Sequence, residues 1–233
     1  MTRSFSGRFV TATAAFAMVA WGCSAATLSA QGQQDAGWRS LFDGKTQNGW
    51  RVYQGQSPSS GWSVVDGALM KTKATDDLIS VDQFGDFELT LEWKVSRGGN
   101  AGLFYRGTEE YEKVYWSATE YQLLDDPNHR DGQNRLTSAG AAYGLYPAAA
   151  GVVKPAGEWN STRIVAKGNK IEHWLNGEKV CEAEIGSEDW NARVAKSKWS
   201  KTATYAKEPK GKIDLQDHGD KVEYKNIKVL VLK

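Results

Sequence analysis

The stretch Phe87-Glu88-Leu89-Thr90-Leu91-Glu92-Trp93-Lys94-Val95 alternates apolar and polar residues without a break. Successive side chains of an extended chain point to opposite faces, so this period of two predicts a strand with one face in a core and the other in solvent. Arg97-Gly98-Gly99-Asn100 follows with turn chemistry, and 101–106 reads as the return strand of a hairpin. Further strands are expected at 62–65, 120–124, 162–167, 170–175, 178–183, 213–218 and 222–232, with Gly168-Asn169 and Asn176-Gly177 as two-residue turns. One short helix is expected after a Ser187 or Asp189 cap, where Trp190 and Val194 stand one turn apart. Many short strands with Gly-rich turns and no alternating strand–helix pattern predict an all-β sandwich or jelly roll, and argue against doubly wound and α/β-barrel enzymes.

Composition agrees with a single globular domain: 233 residues, 40% hydrophobic, 24% charged. Lys plus Arg number 29 against 28 Asp plus Glu, a formal charge of +1, so no basic excess is available to neutralise a run of phosphates and nucleic acid is not an expected partner. Aromatic residues are abundant, with 10 Trp, 9 Tyr and 7 Phe. Trp93 and Trp174, inside strands, are expected to pack in the core, whereas Tyr143, Tyr146 and Trp199, in loop-like segments, are candidates for stacking on a ligand.

Residues 1–30 carry Arg3 and Arg8, no acidic residue, an apolar stretch at 9–20 and then Ser24-Ala25-Ala26 and Ser29-Ala30. This reads as a secretory signal peptide cut between Ala26 and Ala30, its apolar run too short for a membrane span. Lipidation at Cys23 would need a small residue two positions earlier, where bulky Trp21 stands. The expected mature chain is exported, periplasmic or secreted, with 31–36 as a polar linker and 37–233 as the domain. Its charge falls to −1 because two Arg leave with no acid. Cys181 is then alone, so no internal disulfide can form, and its strand context reads as a small buried side chain.

No phosphate loop, dinucleotide fingerprint, Gly-x-Ser-x-Gly or His-Glu-x-x-His occurs. In Glu120-Tyr121-Gln122-Leu123-Leu124-Asp125, alternation places Glu120 and Gln122 on one face, a carboxylate beside an amide suited to sugar hydroxyls, or else a plain solvated face. Asp125-Asp126-Pro127-Asn128-His129-Arg130-Asp131-Gly132 gathers carboxylates, an amide and a histidine. It lacks EF-hand spacing, and reads as a polar or substrate-facing loop or as oxygen ligands for a divalent cation such as calcium. Gln216 and His218 share a face beside Asp217; a histidine at a strand rim can serve as acid, base or donor, or be an ordinary surface residue. His173 alternates with Ile171 and Leu175, which favours core packing, and Arg106 shares the alternation of Phe104, reaching either an oxyanion or a surface carboxylate.

Seven motifs stand in order: Ser40-Leu41-Phe42-Asp43-Gly44-Lys45, Gly85-Asp86-Phe87-Glu88-Leu89, Gly98-Gly99-Asn100-Ala101-Gly102-Leu103-Phe104-Tyr105-Arg106, Glu120-Tyr121-Gln122-Leu123-Leu124-Asp125, Gly157-Glu158-Trp159-Asn160, Ile171-Glu172-His173-Trp174-Leu175-Asn176-Gly177 and Leu215-Gln216-Asp217-His218-Gly219. Together they resemble the family first described as domain of unknown function 1080, now 3-keto-disaccharide hydrolase-like, over residues 36–232. The resemblance implies a concanavalin A-like jelly-roll sandwich of two antiparallel sheets. It also implies cleavage of glycosides already oxidised to a ketone at C3, and so a pathway oxidoreductase that makes this small-molecule substrate.

A C3 ketone acidifies the C2 proton, so a base can remove it and the C1 oxygen can leave by elimination, with water addition completing a net hydrolysis. On this reading Glu120 is base or acid and His218 its partner, while Arg106, Gln122 and Gln216 orient the keto sugar, with Asp125, His129 and Tyr143 as further substrate contacts. No metal ligand set is assigned. The rival reading is a non-catalytic, lectin-like carbohydrate-binding module, since such sandwiches host both. An ordinary retaining glycosidase would carry Glu-x-Asp-x-x-Glu where Gln122 and Asp125 stand.

Overall fold

The computed structural model describes Met1, Thr2 and residues 37–233. The cleavage site expected at 26–30, Cys23 and the linker at 31–36 lie outside the described residues. Thirteen strands follow in chain order: β1 (Trp38–Ser40), β2 (Trp50–Val52), β3 (Trp62–Val65), β4 (Ala68–Lys71), β5 (Leu78–Ser80), β6 (Phe87–Val95), β7 (Asn100–Gly107), β8 (Thr119–Leu124), β9 (Asn160–Lys167), β10 (Lys170–Leu175), β11 (Glu178–Glu184), β12 (Lys212–Leu215) and β13 (Val222–Val231). Among the described residues one α-helix, α1 (Glu188–Ala195), lies between β11 and β12, with the Ser187 hydroxyl accepting the Trp190 N–H as its N-cap.

The strands form two antiparallel sheets. Eight strands make the larger, in the order β11-β10-β9-β6-β13-β4-β3 with β1 also on β13; five make the smaller, β2-β5-β12-β7-β8. The period of two in β6 does what it predicts: Phe87, Leu89, Leu91, Trp93 and Val95 are buried between the sheets, and the residues between them face outward. Against them pack Leu103, Tyr105, Tyr121, Leu123, Ile213 and Leu215 of the smaller sheet. Each such side chain contributes roughly 1.5–3 kcal/mol by leaving water. Trp93 also satisfies its indole N–H on the Thr162 hydroxyl at 2.9 Å. The Asn176-Gly177 turn has φ of 49° and 88°, the left-handed pair that a two-residue hairpin turn requires between Leu175 and Glu178.

Strands β7 and β8 are buried on both faces. A second apolar layer of Tyr53, Ile79, Phe104, Val114 and Ala118, with Tyr115 packed against it, covers the outer side of the smaller sheet. That cover converts the outward face of β7 and β8 from a solvated surface into the floor of an enclosed site.

Three expectations are corrected here. Trp174 is not core: Ile171, His173 and Leu175 point inward, so parity puts Trp174 outside, where Arg163 lies 5.1 Å from its ring centre. Trp199 is buried, stacked on Tyr205 at 4.4 Å, with its N–H donated to the Tyr115 carbonyl. Strand β12 ends at Leu215 rather than 218, because Asp217 turns aside to pair with Lys71 and to accept the Thr75 N–H at 2.8 Å. Cys181 is a buried free thiol in β11, which pushes its pKa up to about 11. Among the described residues no helix is long and apolar enough to cross a membrane.

Candidate active site

The register of the smaller sheet sets two parallel rows on its outer face. Asp214 pairs with Phe104 and Phe104 with Glu120; beside them the Gln216 N–H donates to the Gly102 carbonyl at 3.0 Å and Gly102 pairs with Gln122. Because strand faces alternate, Asn100, Gly102, Glu120, Gln122, Asp214 and Gln216 all point away from the core. Gly102 is the one position on this floor without a side chain. A Cβ there would lie 2.7 Å from Glu120 Oε1 and 3.0 Å from Gln216 Oε1, so these two side chains converge over the glycine.

Above the floor lies a cavity of about 250 Å³ lined by Asn100, Tyr115, Glu120, Gln122, Tyr143, Lys198, Gln216 and His218. Its wall is held by backbone pairing along the free edge of β8: the Tyr143 N–H donates to the Glu120 carbonyl at 3.1 Å and the Gln122 N–H to the Ala141 carbonyl at 3.2 Å. The roof segment is anchored by Trp199. Lys198, the residue before it, places its ammonium 4.9, 4.9 and 4.8 Å from the ring centres of Tyr115, Tyr143 and Trp199. The turn after β12 is pinned by Asp217, whose N–H donates to Asp77 Oδ1 at 2.7 Å. Gln216 and His218, flanking that anchor, are left on the cavity side.

Electrostatics mark the same place. Burial pushes the Glu120 carboxyl up to about 8, with Lys198 pulling the other way and Asp77 and Asp131 reinforcing the rise. The same burial depresses Lys198, which Glu120 in turn raises. Asp214, wholly buried beneath, is raised well above the ordinary carboxylate value by burial and then by its acidic neighbours. Gln122 is 1% exposed, and neither its amide oxygen nor its nitrogen has a protein partner; Gln216 Oε1 and Asn100 Oδ1 are also unpartnered. Unmet buried polar groups cost about 1–3 kcal/mol each, so this cluster is built to be satisfied by a hydroxyl- or carbonyl-bearing ligand.

The structure thus brings together five of the residues picked from sequence, Glu120, Gln122, Tyr143, Gln216 and His218, and sets three elsewhere. Arg106 adopts φ of 56° at a bulge where the β7–β12 register shifts, which swings it off the Phe104 face. Its guanidinium donates to the Gly85 and Gly168 carbonyls and pairs with Asp86, a clamp between loops rather than a sugar contact. Asp125 staples a turn, accepting from the Gly98 N–H at 2.7 Å and the Asn128 amide at 2.9 Å. His129 caps the following turn, Nδ1 accepting the Asp131 N–H. Asp126 likewise accepts from the Ala139 N–H through Oδ1, while Asp125 Oδ1 is buried without a protein partner. Among the described residues no group of three or more His, Cys, Asp or Glu side chains is placed to hold a metal ion. Tyr146 lies outside the cavity, bonded to Asp189.

Asn100, Tyr115 and Lys198 also line the cavity, and sequence reasoning did not single them out. Lys198 stands in Lys196-Ser197-Lys198-Trp199, where nothing in the pattern separates it from its neighbours. A larger open groove of about 620 Å³ crosses the outer face of the larger sheet past Thr90, Glu92, Arg163 and Trp174. Its charges are matched, Arg163 with Glu88 and Glu92 with Lys225, and the Trp174 N–H is given to Glu172, so it has none of the unmet groups of the smaller cavity.

The profile of a family described as 3-keto-alpha-glucoside-1,2-lyase-like domain matches residues 37–230. A 3-keto-disaccharide hydrolase of Bacteroides thetaiotaomicron is 36% identical, across 84% of this chain and 79% of its own length. A crystal structure of a provisionally assigned glycosyl hydrolase from Parabacteroides distasonis superposes with a TM-score of 0.81 at 34% identity, covering 87% of this chain and 97% of that one. A second from the same organism gives a TM-score of 0.66 at 29% identity, covering 84% and 99%.

Proposed function

Because this chain belongs to the 3-keto-alpha-glucoside-1,2-lyase-like family, we propose that it cleaves the glycosidic bond of 3-keto-disaccharides or 3-keto-glycosides by elimination followed by hydration. One observation carries the reading: Glu120, the one carboxyl lining the cavity and raised by burial to about 8, lies on a glycine-opened floor among amide groups without protein partners. Ordinary glycosidases need two opposed carboxylates. Elimination next to a ketone needs one base, a stabilised enolate and a donor for the departing oxygen.

Glu120 as carboxylate takes the C2 proton; the C–H electron pair forms the C2–C3 double bond and the carbonyl pair moves onto the C3 oxygen. When the ketone re-forms, the C1–O bond breaks and the leaving oxygen takes a proton from His218 at the cavity rim. Water then adds across C1–C2. A carboxylate held near pH 8 is a far better base toward carbon than an exposed one, and Gln122, Gln216 and Asn100 can meet ring hydroxyls. At about 250 Å³ the cavity is smaller than the roughly 300–1,000 Å³ of drug-sized pockets, which suits one sugar ring with its aglycone projecting past the rim.

The test is incubation of the purified protein with 3-keto-trehalose and with plain trehalose, with and without a chelator, followed by mass spectrometry. Consumption of the keto form alone is expected; binding with intact return of either sugar would mark a lectin-like module instead. Such a substrate has to be supplied by an oxidoreductase acting at C3. Export is supported by Arg3, Arg8 and the apolar run at 9–20, and N-terminal sequencing of the mature chain checks cleavage between Ala26 and Ala30.

A further inference from the structure

We infer that Lys198 is the oxyanion-stabilising group of this site, its ammonium donating a hydrogen bond to the C3 oxygen as the enolate forms. The inference rests on the reading of the cavity as a 3-keto-glycoside site. Elimination places most of a negative charge on the C3 oxygen for the lifetime of the enolate, and a group that is cationic, fixed and not already neutralised meets this charge most strongly. Lys198 fulfils these conditions together. Its ammonium lies over three ring faces, those of Tyr115, Tyr143 and Trp199, at 4.8–4.9 Å. It forms no ion pair and donates to no acceptor among the described residues. Ring faces hold a cation by their quadrupole without cancelling its charge or occupying its N–H groups, whereas a carboxylate partner would do both. The cage is itself rigid, since Trp199 is buried against Tyr205 and tied to the Tyr115 carbonyl at 2.7 Å.

Placement agrees with the division of labour. Glu120 rises from the floor of the cavity and Lys198 descends from its roof, both lining the same space, with Gln122 and Gln216 beside the base. A sugar ring between them presents its C2 hydrogen to the carboxylate and its C3 oxygen to the ammonium. Asp214, the other carboxyl beneath the floor, does not line the cavity and makes no hydrogen bond to the lysine. Lys198 also acts on the base directly, since its charge opposes the burial that raises Glu120.

The experiment compares wild type, Lys198→Met and Lys198→Arg on 3-keto-trehalose, with thermal melts to verify folding. Lys198→Met is expected to lower kcat by about 10²–10³-fold with KM within a few-fold, because the bond is made to the developing charge and not to the ground-state ketone. It should also move the Glu120 limb of the pH profile upward from about 8, which a merely structural lysine would not do. Lys198→Arg, cationic and still a donor, is expected to keep at least a tenth of the wild-type kcat. Unchanged kcat in Lys198→Met, while the wild type turns over, overturns the role of Lys198 and leaves the proposed function standing. A borohydride-trapped adduct on the wild type, absent from both variants, overturns it in favour of an imine between this lysine and the ketone. A wild type without activity on 3-keto-glycosides removes the proposed function, and this inference with it.

Discussion

Glu120→Gln separates the catalytic carboxyl from its cost to the fold. In the native chain this carboxyl titrates near 8, against an ordinary 4.5, because burial penalises its charge. Between those pH values the unfolded chain has lost the proton and the folded one retains it, so stability falls as pH rises, and the loss is complete above pH 8. At about 1.4 kcal/mol per pH interval the full gap sets an upper bound of roughly 5 kcal/mol, and relaxation of the site around a charge brings a working figure nearer 2–3 kcal/mol. Gln has nearly the same shape and no proton to lose. Relative to wild type, Glu120→Gln should therefore be close to neutral at pH 4, gain stability steadily as pH rises, and level off above pH 8. For a domain of this size 1 kcal/mol moves Tm by about 2–4 °C, so a difference of roughly 5–10 °C at pH 8 is expected, together with loss of turnover. Urea titrations at pH 4, 6, 7 and 8.5 measure the same difference at constant temperature. A wild type and variant whose stabilities run parallel across this range would refute the claim that Glu120 is held protonated by the fold.

Other outcomes follow from the same geometry. As the base, Glu120 should give a kcat/KM that rises with pH through about 8; a limb that falls there would exchange the roles of Glu120 and His218. Gly102→Ala puts a methyl 2.7 Å from Glu120 Oε1 and 2.9 Å from the buried Phe104 ring, so kcat/KM should drop by roughly 10²-fold and Tm should fall with it, which kinetics on the folded variant and a melt together decide. Arg106→Ala strips donors from the Gly85 and Gly168 carbonyls, so it should cost roughly 2–3 kcal/mol in urea unfolding while activity per folded molecule stays at the wild-type level. His173 is neutral in the core, its pKa lowered by burial to about 4 from 6.5, so its contribution is present above pH 6.5 and lost as pH falls toward 4. His173→Gln should make the acid limb of the stability curve shallower by about one proton across that window.

Much of the sandwich was legible along the chain because strand parity is local. The nine residues of β6 need only their own alternation to declare a two-sided environment, and Asn176-Gly177 declares its turn by backbone freedom alone. The same parity, applied consistently, puts Trp174 outside once His173 is inside. The strands β1, β2, β4 and β5 are not anticipated, since they have three or four residues and no clear alternation of apolar and polar side chains. Arg106 misled because one bulge at positive φ cancels the alternation on which its placement was read.

Glu120 and Gln122 were readable as neighbours on one face, and Gln216 and His218 as neighbours on another, because two-residue spacing places side chains together in any strand. That those faces are one face, and that it is enclosed, depends on pairing β7 with its neighbour β8 and with β12, the latter across more than a hundred residues. The enclosure is what turns a solvated glutamate into a base near pH 8, for desolvation is a property of everything packed around the group and not of its neighbours in the chain. Lys198 belongs wholly to this second category: its three aromatic partners come from segments at 115, 143 and 199, and only the folded chain brings a cation, its cage and the carboxyl opposite to a single cavity.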